Sequence, residues 1–89
     1  MSEQPRTLPP EALDDWAAAL RERFGLDAED VPVAAVLTLT SDVANAVARP
    51  AAPVGAFVAG LVAGRAGTDP AAVRDALDAV AALAAGWES

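Results

Sequence analysis

Three polar residues stand at helical spacing near the middle of the chain. Asp42, Asn45 and Arg49 follow one another at i, i+3 and i+7, and a compact turn, Pro50-Ala51-Ala52-Pro53, comes directly after them. A helix brings such positions toward one side. Arg49 is a planar, permanently charged donor that can hold a carboxylate or a phosphate. The best candidate for a binding site is therefore formed by Asp42, Asn45, Arg49, Pro50 and Pro53. For Arg49 a purely structural role at a helix C-terminus is the favoured interpretation, because cations at that position are common without a further role.

The rest of the residue inventory excludes most kinds of catalysis. The chain has no His, Cys, Lys or Tyr, so it lacks an imidazole base, a thiolate, a Schiff-base amine and a phenol. Zinc ligation by His or Cys is excluded as well. The acidic link Asp27 to Asp30 lacks the ligand alternation and the central Gly of a calcium loop. We predict a protein that is not an enzyme and that has no catalytic residues, no metal and no cofactor.

The net charge of the chain indicates which classes of partner it can bind. The formal net charge is −7 and the pI is about 4.2, so there is no basic surface to neutralise phosphates. We therefore expect no nucleic acid partner and no membrane partner.

The first residues lack the basic and apolar segments of a secretory signal. The most apolar run, residues 50–64, is shorter than the roughly 20 residues of a membrane span. These features predict a cytoplasmic protein.

The elements that must position these residues are four helices. Residues 1–7 are polar and unpatterned and are expected to form a disordered tail, followed by a helical domain over residues 8–89. Helix one is predicted from Pro9 or Pro10 to Phe24, and Gly25 ends it. Helix two is predicted to run to about Ala48, with the acidic link as its cap and Pro32 in its first turn. Helix three is predicted to open at Pro53. Helix four follows the capping sequence Thr68-Asp69-Pro70 and ends near Gly86. The predicted fold class is all-α, a single compact bundle of four helices joined by short loops.

The predicted core combines a few large residues with many small ones. A chain of 89 residues has a thin core, so the aromatic residues are expected to contribute heavily; these are Trp16, Phe24, Phe57 and Trp87. The stripes of helices two and four are predicted to include Leu37 and Leu83. On helix three, Ala56, Gly60 and Gly64 repeat every four residues, and this small ridge predicts a closely packed neighbouring helix. A homodimer formed through the same ridge is the alternative.

Several segments resemble a known family. They are Leu13-Asp14-Asp15-Trp16, the Leu-Asp-Ala-Glu-Asp-Val link, Asp42-Val43-Ala44, Val47-Ala48-Arg49-Pro50-Ala51-Ala52-Pro53 and Gly60-Leu61-Val62-Ala63-Gly64-Arg65. They resemble a small actinobacterial helical domain family of unknown function, which is also found as a C-terminal extension of molybdenum cofactor guanylyltransferase-like proteins. The resemblance implies an association with molybdopterin guanine dinucleotide synthesis. It does not imply transferase activity, because the chain has no glycine-rich nucleotide loop.

Three hypotheses about function follow. The leading one is a non-catalytic accessory or interaction module whose protein partner is a molybdenum cofactor biosynthetic enzyme. The second is a small domain that binds an anionic ligand, such as a pterin phosphate, at the Arg-Pro-Ala-Ala-Pro turn. The third is a weak enzyme that uses only carboxylates.

Overall fold

The computed structural model describes residues 10–67 and 69–87. Its α-helices are α1 (Pro10–Phe24), α2 (Val33–Ala46), α3 (Ala51–Ala66) and α4 (Pro70–Ala85), and a short 3-10 helix spans Ala28–Asp30. Over these ranges the chain forms no β-strand, so the all-α prediction with four helices is confirmed. The predicted disordered tail lies outside the described residues. By its internal contacts the chain divides into two compact units, residues 1–31 and 32–89.

In the first unit, α1 ends where the sequence predicts. Gly25 has a φ of 67°, in the left-handed region that glycine enters without steric cost. The Leu26 N–H donates to the Arg21 carbonyl at 2.8 Å, which is the six-residue bond of a Schellman motif. Beside this end, the Arg23 guanidinium lies 5.1 Å from the centre of the Phe24 ring.

The acidic link forms a turn of its own instead of capping α2, so that part of the prediction is wrong. The Asp27 N–H donates to the Asp30 carboxylate at 2.9 Å, and the Asp30 N–H donates to the Asp27 carbonyl at 3.0 Å. The Asp30 carboxylate therefore caps the 3-10 turn to which it belongs and does not cap α2. Pro32 occupies the capping position of α2, one residue before the predicted first turn.

In the second unit, α2, α3 and α4 pack against one another in all three pairs. α2 ends at Ala46, two residues before the predicted end, where the Val47 N–H donates to the Val43 carbonyl at 2.8 Å. α3 begins at Ala51, so Pro53 lies in its first turn and does not open it. Proline is tolerated in a first turn because the N–H groups there have no intrahelical acceptor.

α4 begins and ends as predicted. The Asp69 carboxylate accepts a hydrogen bond of 2.7 Å from the Ala72 N–H, and Pro70 follows as the first helical residue. Gly86 is the C-terminal cap, and its N–H donates to the Ala82 carbonyl. Asp69 and Gly86 thus fix both ends of the helix locally.

The core of the second unit is made mainly of alanine. Three larger residues, Leu39, Val43 and Leu77, are buried together with Ala52, Ala59, Ala63, Ala76 and Ala84. The small ridge of α3 is therefore rotated by one residue from the prediction, to Ala59 in place of Gly60. Apart from its chain neighbours and the adjacent backbone of α3, no described atom would lie within 4 Å of a Cβ added at Gly60. A Cβ added at Gly55 would meet Val80 at 3.4 Å.

The aromatic residues do not form the core, contrary to prediction. Trp16 is 60% exposed and Phe57 is 71% exposed, and Phe24 and Trp87 are exposed as well. Leu37 and Leu83 are also on the surface. The physical reason in the second unit is close helix packing, because alanines at the contacts bring the backbones together and leave room inside only for a few aliphatic side chains.

Candidate functional site

The five residues of the predicted site are all exposed, but the structure does not place them in one pocket. Asp42 and Asn45 lie on α2 and line an open groove of about 330 Å³ together with Ala46, Ala81 and Ala85. This groove runs between α2 and α4. Arg49, Pro50 and Pro53 belong instead to the turn that leads into α3.

The turn at Arg49 is built from local backbone hydrogen bonds. The Ala51 N–H donates to the Ala48 carbonyl at 3.0 Å, and the Ala52 N–H donates to the Arg49 carbonyl at 3.2 Å. Pro53, the third helical residue, has no N–H. The first three positions of α3 therefore offer no unused N–H to an anion, which removes the usual anion-binding property of a helix N-terminus.

Arg49 itself lies three residues beyond the end of α2. Within residues 10–67 and 69–87 its guanidinium has no hydrogen-bond or ion-pair partner, and the side chain is exposed. It does not cap the last carbonyls of α2 in this arrangement. Its five donors are available to a ligand or to a partner protein.

A second groove on the α2 and α4 side carries charges of both signs. Asp42 on α2 and Arg74 and Asp78 on α4 line it over the apolar floor of Leu39 and Leu77. Across the part of the chain that the structure describes, no three acidic residues are arranged to hold a metal ion. A carboxylate pair beside a guanidinium can also be the ordinary solvated edge of two packed helices.

The most unusual surface is on α3, and the site prediction did not include it. Its large apolar side chains are exposed, whereas its buried residues are all alanines. We call this surface the outer face of α3, and it consists of Val54, Phe57, Val58, Leu61 and Val62. Val54 is 64% exposed and Leu61 is 47% exposed. Four of the five, Val54 to Leu61, fall at i, i+3, i+4 and i+7, which is one side of a helix.

The sequence contains a signal for this face. From Ala51 to Gly64 the helix has no charged residue and no polar side chain, so it is apolar on every side. Such a helix is normally covered on every side. The contacts with α2 and α4 cover only the side of Ala52, Ala59 and Ala63. No helix among the described residues has the length and hydropathy to cross a membrane.

A model of one protein family matches residues 8–89, and its description is "Domain of unknown function (DUF6457)". The chain belongs to this family. The match covers most of the chain and confirms the resemblance to a family of unknown function. No curated protein and no solved structure is significantly similar to the chain. Membership of DUF6457 assigns no ligand or partner. The surface features that could bind one are the outer face of α3 and the Arg49 turn.

Proposed function

We propose that this DUF6457 chain is a non-catalytic interaction module that binds a protein partner through the outer face of α3. The observation that carries the proposal is the inverted burial of α3. Its large apolar residues are exposed, and the residues that it buries are Ala52, Ala59 and Ala63. Contiguous apolar patches of this kind on a small domain are typical of interaction sites. The absence of His, Cys, Lys and Tyr from the sequence supports a role without catalysis.

We further propose that the partner is a molybdenum cofactor biosynthetic enzyme, with a guanylyltransferase as the first to be tested. This part rests on the resemblance described above, in which such domains follow guanylyltransferase-like proteins. A domain that is fused to an enzyme in one protein can bind the same kind of enzyme in another. The exposed face of α3 provides the apolar surface that such binding needs.

The test is a calorimetric titration of the chain with a purified molybdenum cofactor guanylyltransferase. The double variant Phe57→Ser with Leu61→Ser should weaken binding at least about tenfold, or about 1.4 kcal/mol. Leu83→Ser is the matched control, because Leu83 is 66% exposed on α4 and lies outside the outer face. Circular dichroism should show the same helicity in all three proteins.

The outcomes separate the parts of the proposal. A guanylyltransferase that does not bind the wild-type chain contradicts the molybdenum cofactor link. Binding that Leu83→Ser weakens as much as the double variant does contradicts the assignment to α3.

A second candidate function is binding of a small anion at the Arg49 turn. The observation that favours it is the exposed guanidinium of Arg49, which is without a partner among the described residues. The lack of unused N–H groups at the start of α3 means that Arg49 would have to hold the anion by its side chain. This candidate is therefore second to the protein-binding proposal.

A further inference from the structure

We infer that the segment that docks on the outer face of α3 is an apolar helix flanked by Arg or Lys side chains. This inference rests on the proposed function and adds the chemistry of the partner. The face is shaped for a helix, because Val54, Phe57, Val58 and Leu61 form a straight stripe along α3. Stripes with this spacing pack against a second helix through its apolar side.

The charge at one edge of the face decides what must surround the apolar stripe. Val62 continues the stripe toward α4, where it lines a groove of about 380 Å³ that also contains Asp69 and Asp75. One oxygen of Asp69 accepts the Ala72 N–H, and the Asp75 side chain is exposed. An apolar surface with an acidic edge is complementary to an apolar helix with a basic edge.

A second copy of this chain fits the same surface less well. Each copy has a net charge of −7 and would bring its own acidic side chains to the interface. Like charges placed opposite one another oppose association. The face itself has no charge from Ala51 to Gly64, and Arg65 is the single charged residue of α3. The basic residues of the partner are therefore expected on the α4 side, away from Arg65.

The experiment uses two synthetic helical peptides and the full chain. Both peptides have the same Leu and Ala stripe, and the stripe is flanked by Arg in one peptide and by Glu in the other. Binding is followed by two-dimensional NMR of the labelled protein at low and high salt. The Arg-flanked peptide should shift resonances of the outer face, bind at least about tenfold more tightly than the Glu-flanked peptide, and weaken as salt is raised.

Two matched pairs of variants locate the interaction. Asp75→Asn should weaken binding of the Arg-flanked peptide about threefold or more, whereas Asp78→Asn should not, because Asp78 lies on the same helix but lines the groove with Asp42. Phe57→Ser should weaken it at least about tenfold, whereas Leu83→Ser should not. Because these residues are exposed, the variants should all remain folded, which circular dichroism checks.

The inference is overturned if the two peptides bind equally, if Asp75→Asn and Asp78→Asn act alike, or if the shifts cluster at Asp42 and Asp78. It is also overturned if neither peptide binds. A dimer in sedimentation that Phe57→Ser dissociates would then identify a second copy as the occupant. None of these results decides the proposed function, which the guanylyltransferase titration tests separately.

Discussion

Two glycines of α3 have opposite surroundings although they are only five residues apart. A Cβ at Gly55 would lie 3.4 Å from a Val80 methyl and 3.7 Å from a Val43 methyl. At Gly60, apart from its chain neighbours and the adjacent backbone of its own helix, no atom of the described residues would be within 4 Å of it. Gly55 therefore permits the approach of α2 and α4, whereas Gly60 only lowers the helix propensity of an exposed position.

Leucine substitutions at these two positions should have opposite effects. Gly55→Leu should lower the free energy of unfolding by about 1 to 3 kcal/mol, because the side chain has no room between Val43 and Val80. Gly60→Leu should leave it unchanged or raise it by up to about 1 kcal/mol through helix propensity. Urea denaturation of both variants measures the difference. A large loss at Gly60 together with none at Gly55 would restore the ridge predicted from the sequence.

A contribution of Arg49 to binding can be measured independently of the stability of the fold. Because its exposed side chain has no partner among the described residues, Arg49→Ala should leave the melting temperature nearly unchanged. If the turn binds anions, titration with guanosine monophosphate should show at least about tenfold weaker binding by the variant. Arg65→Ala, at the other end of α3, is the control. Equal affinity of the wild-type and Arg49→Ala proteins would remove Arg49 from the binding site.

Both ends of α4 are fixed by residues that are close to them in the sequence. Its N-terminus combines the Asp69 cap with Pro70, and its C-terminus is at Gly86. α3, by contrast, begins after Pro50 and contains another proline in its first turn, so its start depends on the two backbone bonds to Ala48 and Arg49. The ends of α4 should therefore respond to changes in single side chains.

Removing the cap of α4 should destabilise the protein. Asp69→Ala removes the acceptor for the Ala72 N–H and should lower the free energy of unfolding by about 0.5 to 2 kcal/mol. Asp69→Asn should retain most of the stability, because Asn is also a good N-cap residue. Thermal denaturation compares these variants with Asp75→Ala, a control in the same helix. An equal loss in Asp69→Asn and Asp69→Ala would argue against the capping bond.

At the scale of the whole molecule, the apolar residues are distributed in an unusual way. The interior of the second unit contains alanines and a few aliphatic residues, and the aromatic side chains of the chain are at the surface. Hydrophobic stabilisation is proportional to the apolar area removed from water, so the largest side chains contribute little to it here. They are available for binding instead.

Alanine substitutions should reveal this distribution. Leu39 is only 2% exposed, so Leu39→Ala should cost about 2 to 5 kcal/mol of unfolding free energy. Phe57→Ala should change it by less than about 0.5 kcal/mol, although it removes a larger side chain, because Phe57 is 71% exposed. Chemical denaturation of the two variants makes the comparison. A cost of several kcal/mol at Phe57 would mean that the outer face of α3 is covered within the chain.

The four helices and most of their ends follow from the amino-acid sequence alone. Gly25, Asp69-Pro70 and Gly86 are signals that act within one turn of the backbone, so they can be read without knowledge of the fold. Residue types alone show that the common catalytic side chains are missing. Helical spacing alone predicts a polar side that includes Asp42, Asn45 and Arg49, and all three are exposed. The C-terminal end of α2 and the start of α3 were each off by two residues. At α3 the reason is that proline is compatible with several positions in a first turn.

The side of α3 that is buried depends on how the helices pack. A helix that is apolar all round has no periodic signal to fix its rotation, and a shift of one residue, from Gly60 to Ala59, turns it by about 100°. That rotation buries Ala52, Ala59 and Ala63, because small side chains allow the closest approach of α2 and α4. It also places Phe57 and Leu61 at the surface, and so it creates the outer face on which the proposed function depends.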